Sequence, residues 1–306
     1  MRQYSLQLGL LVVAMAVGLG GCFGFSPSLP ASEVIARFSD NLASLKTFHY
    51  EADLNLSGNV PTVLGEDLAS PRIAFEGDVA NQNLTSPQFT LSAQVRANSS
   101  AGPVVIAGQM VGLSGATYFR LSDLVLPTLL PVSLGADARW YRIKHPVTDS
   151  SQPSDRLGVE ETLVLTPDQA LVVKEAIAQH SLFEVVEQLP GAIIGGQPSY
   201  HYRVRFDQAA AQNLLEQLDH ALALKSSEPD FKLISNYEPE IWINRRTFQL
   251  TQLKLTDSYL SSGRSIGFEF VLRLSRPNTK ITVSAPNTAE EFRGPDLLKE
   301  LPLLQW

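Results

Sequence analysis

Cys22 is the only thiol in a chain of 306 residues. A lone thiol can act as a nucleophile or be alkylated, but it cannot form an internal disulfide. The other groups that could do chemistry are scattered. Gly112-Leu113-Ser114-Gly115 sets a serine near glycines, yet it lacks the final spacer of a Gly-x-Ser-x-Gly elbow and reads as a turn between strands. The histidines stand at 49, 145, 180, 201 and 220, and none forms a His-x-x-x-His or His-Glu-x-x-His pair. His49 and His201 fall on polar strand faces, where a solvated ring is expected. Glu160/Glu161 and Glu290/Glu291 are neighbours in sequence and read as solvated surface. Asp149 to Asp155 reads as a flexible polar loop, and no phosphate-binding or calcium-binding loop is present. The sequence therefore points to no catalytic residue, no metal and no cofactor, and to a chain that is not an enzyme.

Cys22 is different because of what precedes it. Arg2 is the sole charge ahead of an apolar stretch from Leu8 to Leu19, and Gly20 and Gly21 follow. A basic start, an apolar core too short to span a bilayer and small residues at a cut site describe a secretory signal peptide. The run Leu19-Gly20-Gly21-Cys22 resembles the lipobox of bacterial lipoproteins. That resemblance implies cleavage between Gly21 and Cys22, a diacylglycerol on the thiol and acylation of the new amino group. It divides the chain into a signal peptide at 1–21, a lipidated tether at 22–31 and one domain at 32–306. Residues 23–31 span about 30 Å when extended, so the domain stays close to its membrane.

The whole chain carries a formal charge of −7; without Arg2 the mature part has 23 basic against 31 acidic residues, or −8. An acidic chain is a poor partner for nucleic acid and for anionic lipid heads, so the membrane hold should come from acyl chains. No second run of eighteen apolar residues occurs. The expected product is an exported monomer anchored on the extracytoplasmic face of a bacterial membrane.

The elements follow from periodicity. A helix is expected from Glu33 to Lys46, capped by Ser32, with Val34, Ile35, Phe38, Leu42 and Leu45 on one face. The period then changes to two. Phe48, Tyr50, Ala52, Leu54 and Leu56 alternate with His49, Glu51, Asp53, Asn55 and Ser57. Similar alternation marks strands around Phe75, around Phe89, at 103–111, 115–121 and 139–144, and from Tyr200 to Phe206. Further strands are expected at 239–244, 247–257, 265–275 and 280–284. Capping boxes predict helices at 166–179 and from Ser181 to before Pro190, and Asp207 opens another that carries Leu214, Leu215, Leu218 and Leu222. A leucine-rich tail, with Leu297 to Trp306, is expected as a last helix or extended lid. The sum is an α+β fold: a strongly curved antiparallel sheet of about ten or eleven strands, with helices on its concave face.

The lead helix ending in Thr47-Phe48-His49-Tyr50, the segments 117–121 and 139–143, Gly196 to Tyr202 and Glu240 to Asn244 resemble LolA/LolB- and LppX/LprG-type envelope lipoproteins. The resemblance implies an unclosed half-barrel that binds acyl chains between sheet and helices and carries lipids or lipoproteins. Its candidate lining is Phe48, Tyr50, Phe75, Phe89, Tyr202, Phe268 and Phe270, with Leu126, Leu129 and Leu130 in an apolar, proline-broken connection. That connection either packs beneath the helices, the favoured reading, or forms a movable lip. A cavity there would need roughly 300–1,000 Å³. The alternative is an envelope interaction or sensor module of the same fold with a filled core, as in RseB-like regulators.

Overall fold

The computed structural model describes residues 29–61, 67–81, 88–125, 139–144, 182–210, 237–261 and 264–292, together with helical positions 171, 172, 175, 212, 213 and 216. Helix α1 spans Ala31–Ala43. The strands are β1 (Thr47–Ser57), β2 (Asn59–Pro61), β3 (Asp67–Ala80), β4 (Gln88–Ser99), β5 (Gly102–Leu113), β6 (Ala116–Val125) and β7 (Tyr141–Lys144). They continue as β8 (Phe183–Ile194), β9 (Gln197–Phe206), β10 (Glu240–Asn244), β11 (Leu250–Ser261), β12 (Arg264–Ser275) and β13 (Glu290–Glu291).

Among the described residues these thirteen strands form one sheet, in the order β13-β7-β6-β5-β4-β3-β1-β12-β11-β10-β9-β8, with β2 paired to β3. Two meanders, β1–β7 and β8–β12, are joined where β1 pairs with β12. The sheet is not closed: β8 at one end and β13 at the other do not pair with each other. All pairings are antiparallel except the short β13–β7 ladder, which is parallel. Alternation carries this arrangement because one face of each strand must be dry.

Three expectations need correction. The lead helix begins at Ala31 behind Pro30, and Ser32 caps nothing; Glu33 and Val34 donate their amides to the Pro30 carbonyl instead. The helix also ends at Ala43, before Lys46, whose amide is taken by Asn278 Oδ1. The expected helix from Ser181 is strand β8. Phe183 and Val185 pack toward the core, and Pro190 sits on an outer strand beside a register shift, where its missing N–H costs little. Residues 280–284 form no ladder. They belong to a strap, 276–289, that crosses the polar face, with Ile281 and Val283 packed on Ala80, Val111, Tyr118 and Trp140.

The sheet has thirteen strands where ten or eleven were expected, and helices on its concave face are not shown among the described residues. Ser114 and Gly115 form the β5–β6 turn. Asp207 Oδ1 accepts the Ala210 amide at 2.9 Å and opens a helix. Positions 171, 172 and 175 are helical. The paths of 166–170, 217–222 and 297–306, and any roof they make over the sheet, lie outside the described residues.

The best-filled core lies under α1. Val34, Ile35 and Phe38 project at helical spacing onto Tyr200, Tyr202, Val204, Ile241 and Ile243 of β9 and β10, and all are buried. Asn41 fixes the far end of the helix by donating to the Thr247 carbonyl at 2.8 Å.

Candidate functional site

Cross-strand pairing places the apolar residues of neighbouring strands side by side in rows. One row runs Leu255, Phe270, Leu54, Ile73, Val95, Ile106, Leu124 across β11, β12, β1, β3, β4, β5 and β6. The next runs Leu253, Leu272, Ala52, Phe75, Ala93, Gly108, Leu121 over the same strands. Neither row holds a charged or hydrogen-bonding side chain.

Burial divides this face in two. Beneath α1, Tyr202, Val204, Ile241 and Ile243 are fully buried. Over β12 to β5 most of the same face is only half-buried, including Leu54, Ile73, Phe75, Val95, Ile106, Phe268 and Phe270, and Leu121 beyond them is exposed. A buried Leu, Ile or Phe contributes about 1.5–3 kcal/mol over an exposed one, so on this half, among the described residues, part of that gain is still available.

The aromatic residues expected to line a cavity do lie on this one face, but in different roles. Tyr202 belongs to the filled core. Tyr50 lies opposite Gly77 and donates to the Thr90 carbonyl at 3.2 Å; Phe89 lies opposite Gly112. A Cβ added at Gly77 would collide with the Thr90 carbonyl, and one at Gly112 with the Phe89 ring. These two rings therefore cover bare backbone, as aromatic side chains do over strand glycines. Phe75, Phe268 and Phe270 remain on the open half. Phe48 lines a narrow apolar cleft of about 20 Å³ with Phe38, Leu42, Leu45, Leu250 and Leu274. Sequence reading emphasised aromatics and passed over Leu54, Ile73, Val95 and Ile106, although the same alternation carries them. Gly21, Cys22, Leu126, Leu129 and Leu130 lie outside the described residues.

Tyr202 carries a chemical oddity. Its hydroxyl is buried without a hydrogen-bond partner among the described residues. Burial, with a smaller contribution from Tyr200 and an opposing one from Arg245, pushes its pKa up to about 12. Burial and then Asp78 also raise that of Tyr50.

The opposite face is a lattice of charge pairs. His49 Nδ1 stands 3.0 Å from Asp78, which Arg276 reaches at 2.7 Å. His201 Nε2 stands 2.9 Å from Glu240, and its ring stacks on Trp242 at 4.1 Å. Both histidines are on polar strands as expected, but they are mostly enclosed and carboxylate-paired, not solvated. Glu290 and Glu291 are exposed and pair with Arg139 and Lys144. Among the described residues no group of three or more His, Cys, Asp or Glu is placed to hold a metal. Among them, too, no helix is long and apolar enough to cross a membrane.

The fold and this face define a class: an open, mostly antiparallel sheet with one continuous dry side. No family model and no curated protein matches the chain. Among solved structures it is similar to LprF from Mycobacterium bovis, with 13% identity and a TM-score of 0.41, over 84% of this chain and 98% of that one. The chain is also similar to the MucA/MucB complex of Pseudomonas aeruginosa, with 10% identity and a TM-score of 0.30, over 84% of this chain but 61% of that one. A third similarity is to a beta-barrel-like protein of domain of unknown function DUF1849 from Brucella abortus, with 12% identity and a TM-score of 0.28, over 76% and 98% of the two chains.

Proposed function

We propose that this protein is a monomeric lipoprotein of the bacterial cell envelope, held by lipid on Cys22, that shelters acyl chains on the open half of its sheet. Residues 1–21 serve as signal peptide, 22–31 as tether and 32–306 as one binding domain. The reading needs no catalysis, and one observation carries it. Two rows of uncharged side chains cross β11 to β6, and outside the reach of α1 most of them are half-buried. Each methylene removed from water on such a surface contributes about 0.8 kcal/mol, so ten of them supply about 8 kcal/mol before the costs of association. No polar motif is required, which suits a sequence without one. Leu126, Leu129 and Leu130 follow directly on β6 and belong to this reading as its apolar lip.

Residues 23–306 produced as a soluble protein in bacteria and extracted for mass spectrometry test it. About one lipid per chain is the expected result. A monodisperse protein free of lipid would sink the carrier reading and leave an interaction or sensor module with a filled core.

A further inference from the structure

At the end of the sheet where β1 begins, a polar cavity continues the apolar cleft beneath α1. It measures about 370 Å³ and lies between the β8–β9 turn, the β10–β11 turn and the end of β12. Gln249, Leu250, Leu274 and Pro277 line both spaces, so the dry face and the polar face of the sheet communicate around this rim. The opening has a local cause. Trp242 pairs with Gln252 but Ile243 pairs with Leu250, which leaves Thr251 as an extra residue that breaks the ladder. The chain then leaves β12 through Arg276 at a φ of +50°, and Pro277 after it still lines the rim.

Two guanidiniums, Arg273 and Arg276, line it together with one carboxylate, Glu51, while Asp53 and Asp78 pair with them from outside the lining. Arg276 reaches Asp78 at 2.7 Å and Arg273 reaches Asp53 only at 3.6 Å. Both guanidiniums are about half exposed, and such pairs are weak enough for an incoming anion to displace. The side chains of Gln249 and Ser275 make no hydrogen bond to the described residues and face the same space.

We propose that this rim holds the anionic headgroup of one amphiphile, with Arg273 and Arg276 on its negatively charged oxygens and its first methylenes entering between Leu42, Phe48, Leu250 and Leu274, where the narrow cleft must widen to admit them. The assignment rests on the reading of the apolar face as an acyl site. A phosphodiester headgroup and a free phosphate present the same oxygens; only the amphiphile uses the adjoining cleft.

The full chain in a neutral detergent would be titrated with fluorescent phosphatidylglycerol and with phosphatidylcholine of the same chain length. The anionic lipid is expected to bind about tenfold more tightly, as charge-assisted hydrogen bonds provide. The double variant R273Q/R276Q is expected to remove that preference while keeping its affinity for phosphatidylcholine, which shows that it is folded. Ser275→Glu is expected to weaken the anionic lipid alone. Equal affinities in the wild type, or a preference that survives in the double variant, would overturn the headgroup site. Inorganic phosphate that competes as strongly as the lipid would overturn the amphiphile in favour of a free anion. If neither lipid binds the wild type, it is the acyl-chain reading itself that fails.

Discussion

Tyr202 shows how a single hydroxyl can oppose the core it sits in. Its ring fills the space under α1, but its Oη is buried with no partner among the described residues. Removing an unsatisfied buried hydroxyl without changing shape relieves a desolvation penalty, so Tyr202→Phe is expected to raise stability by about 1 kcal/mol in urea unfolding at pH 8. The pH dependence has a definite sign. An ordinary tyrosine ionises near 10, and this one is held neutral to about 12. Above pH 10 the unfolded chain releases the proton that the folded chain keeps, so stability falls as pH climbs from about 10 to 12. The Phe variant lacks that part of the decline, and the gap between the two proteins therefore widens at pH 11. Gly77 works in the opposite sense, because its missing side chain admits Tyr50 and the Thr90 carbonyl. Gly77→Val is expected to cost about 3 kcal/mol by the same measurement, since backbone cannot yield as a flexible side chain does.

At the scale of elements, the strap over 276–289 is the least local piece of the fold. Asn278 donates its amide to Thr47 O at 2.7 Å, and Thr47 Oγ1 donates to Thr279 O at 2.6 Å. The strap then lays Ile281 and Val283 on a small apolar cluster and ends as β13 beside β7. It ties the end of the central strand β12 to β7 across the polar side. Val283→Asp buries a charge in that cluster, and about 3 kcal/mol of local stability is expected to go with it. Limited proteolysis would then cut the variant within 276–289 under conditions that leave the wild type intact. Equal cutting of both would mean that the strap is held by its hydrogen bonds alone.

For the whole molecule, the open half of the sheet and the anchor make separable predictions. Ala93 sits mid-row between Phe75 and Gly108 on that face. Ala93→Trp places a large ring over the furrow and is expected to reduce co-purified lipid about fivefold or more while the cooperative unfolding transition persists. Cys22→Ala removes the proposed acylation site. The variant is expected to leave the membrane fraction, and metabolic labelling with radioactive palmitate is expected to fall to background. A labelled, membrane-bound Cys22→Ala protein would place the anchor elsewhere in the chain.

Much of this was legible in the sequence, for reasons that are local. The lipidation proposed for Cys22 rests on a few residues of sequence alone and lies outside the described residues. The dry and wet faces of β1, β4 and β12 follow from a period of two, and the helix of Val34, Ile35 and Phe38 from a period near four. The strand at Phe183 was not legible, because a capping pattern and an edge strand share the same short stretch; pairing with β9 decided between them. Nor could any window of sequence reveal that β1 and β12, more than two hundred residues apart, lie side by side. The same holds for the glycine under each ring, for the half of the dry face that α1 leaves open, and for the rim where Arg273 and Arg276 meet the cleft. Residue type and spacing determine which side of a strand is dry. What that side is packed against, and where it is left open, is set by contacts between segments far apart in the chain, and only the tertiary structure supplies those.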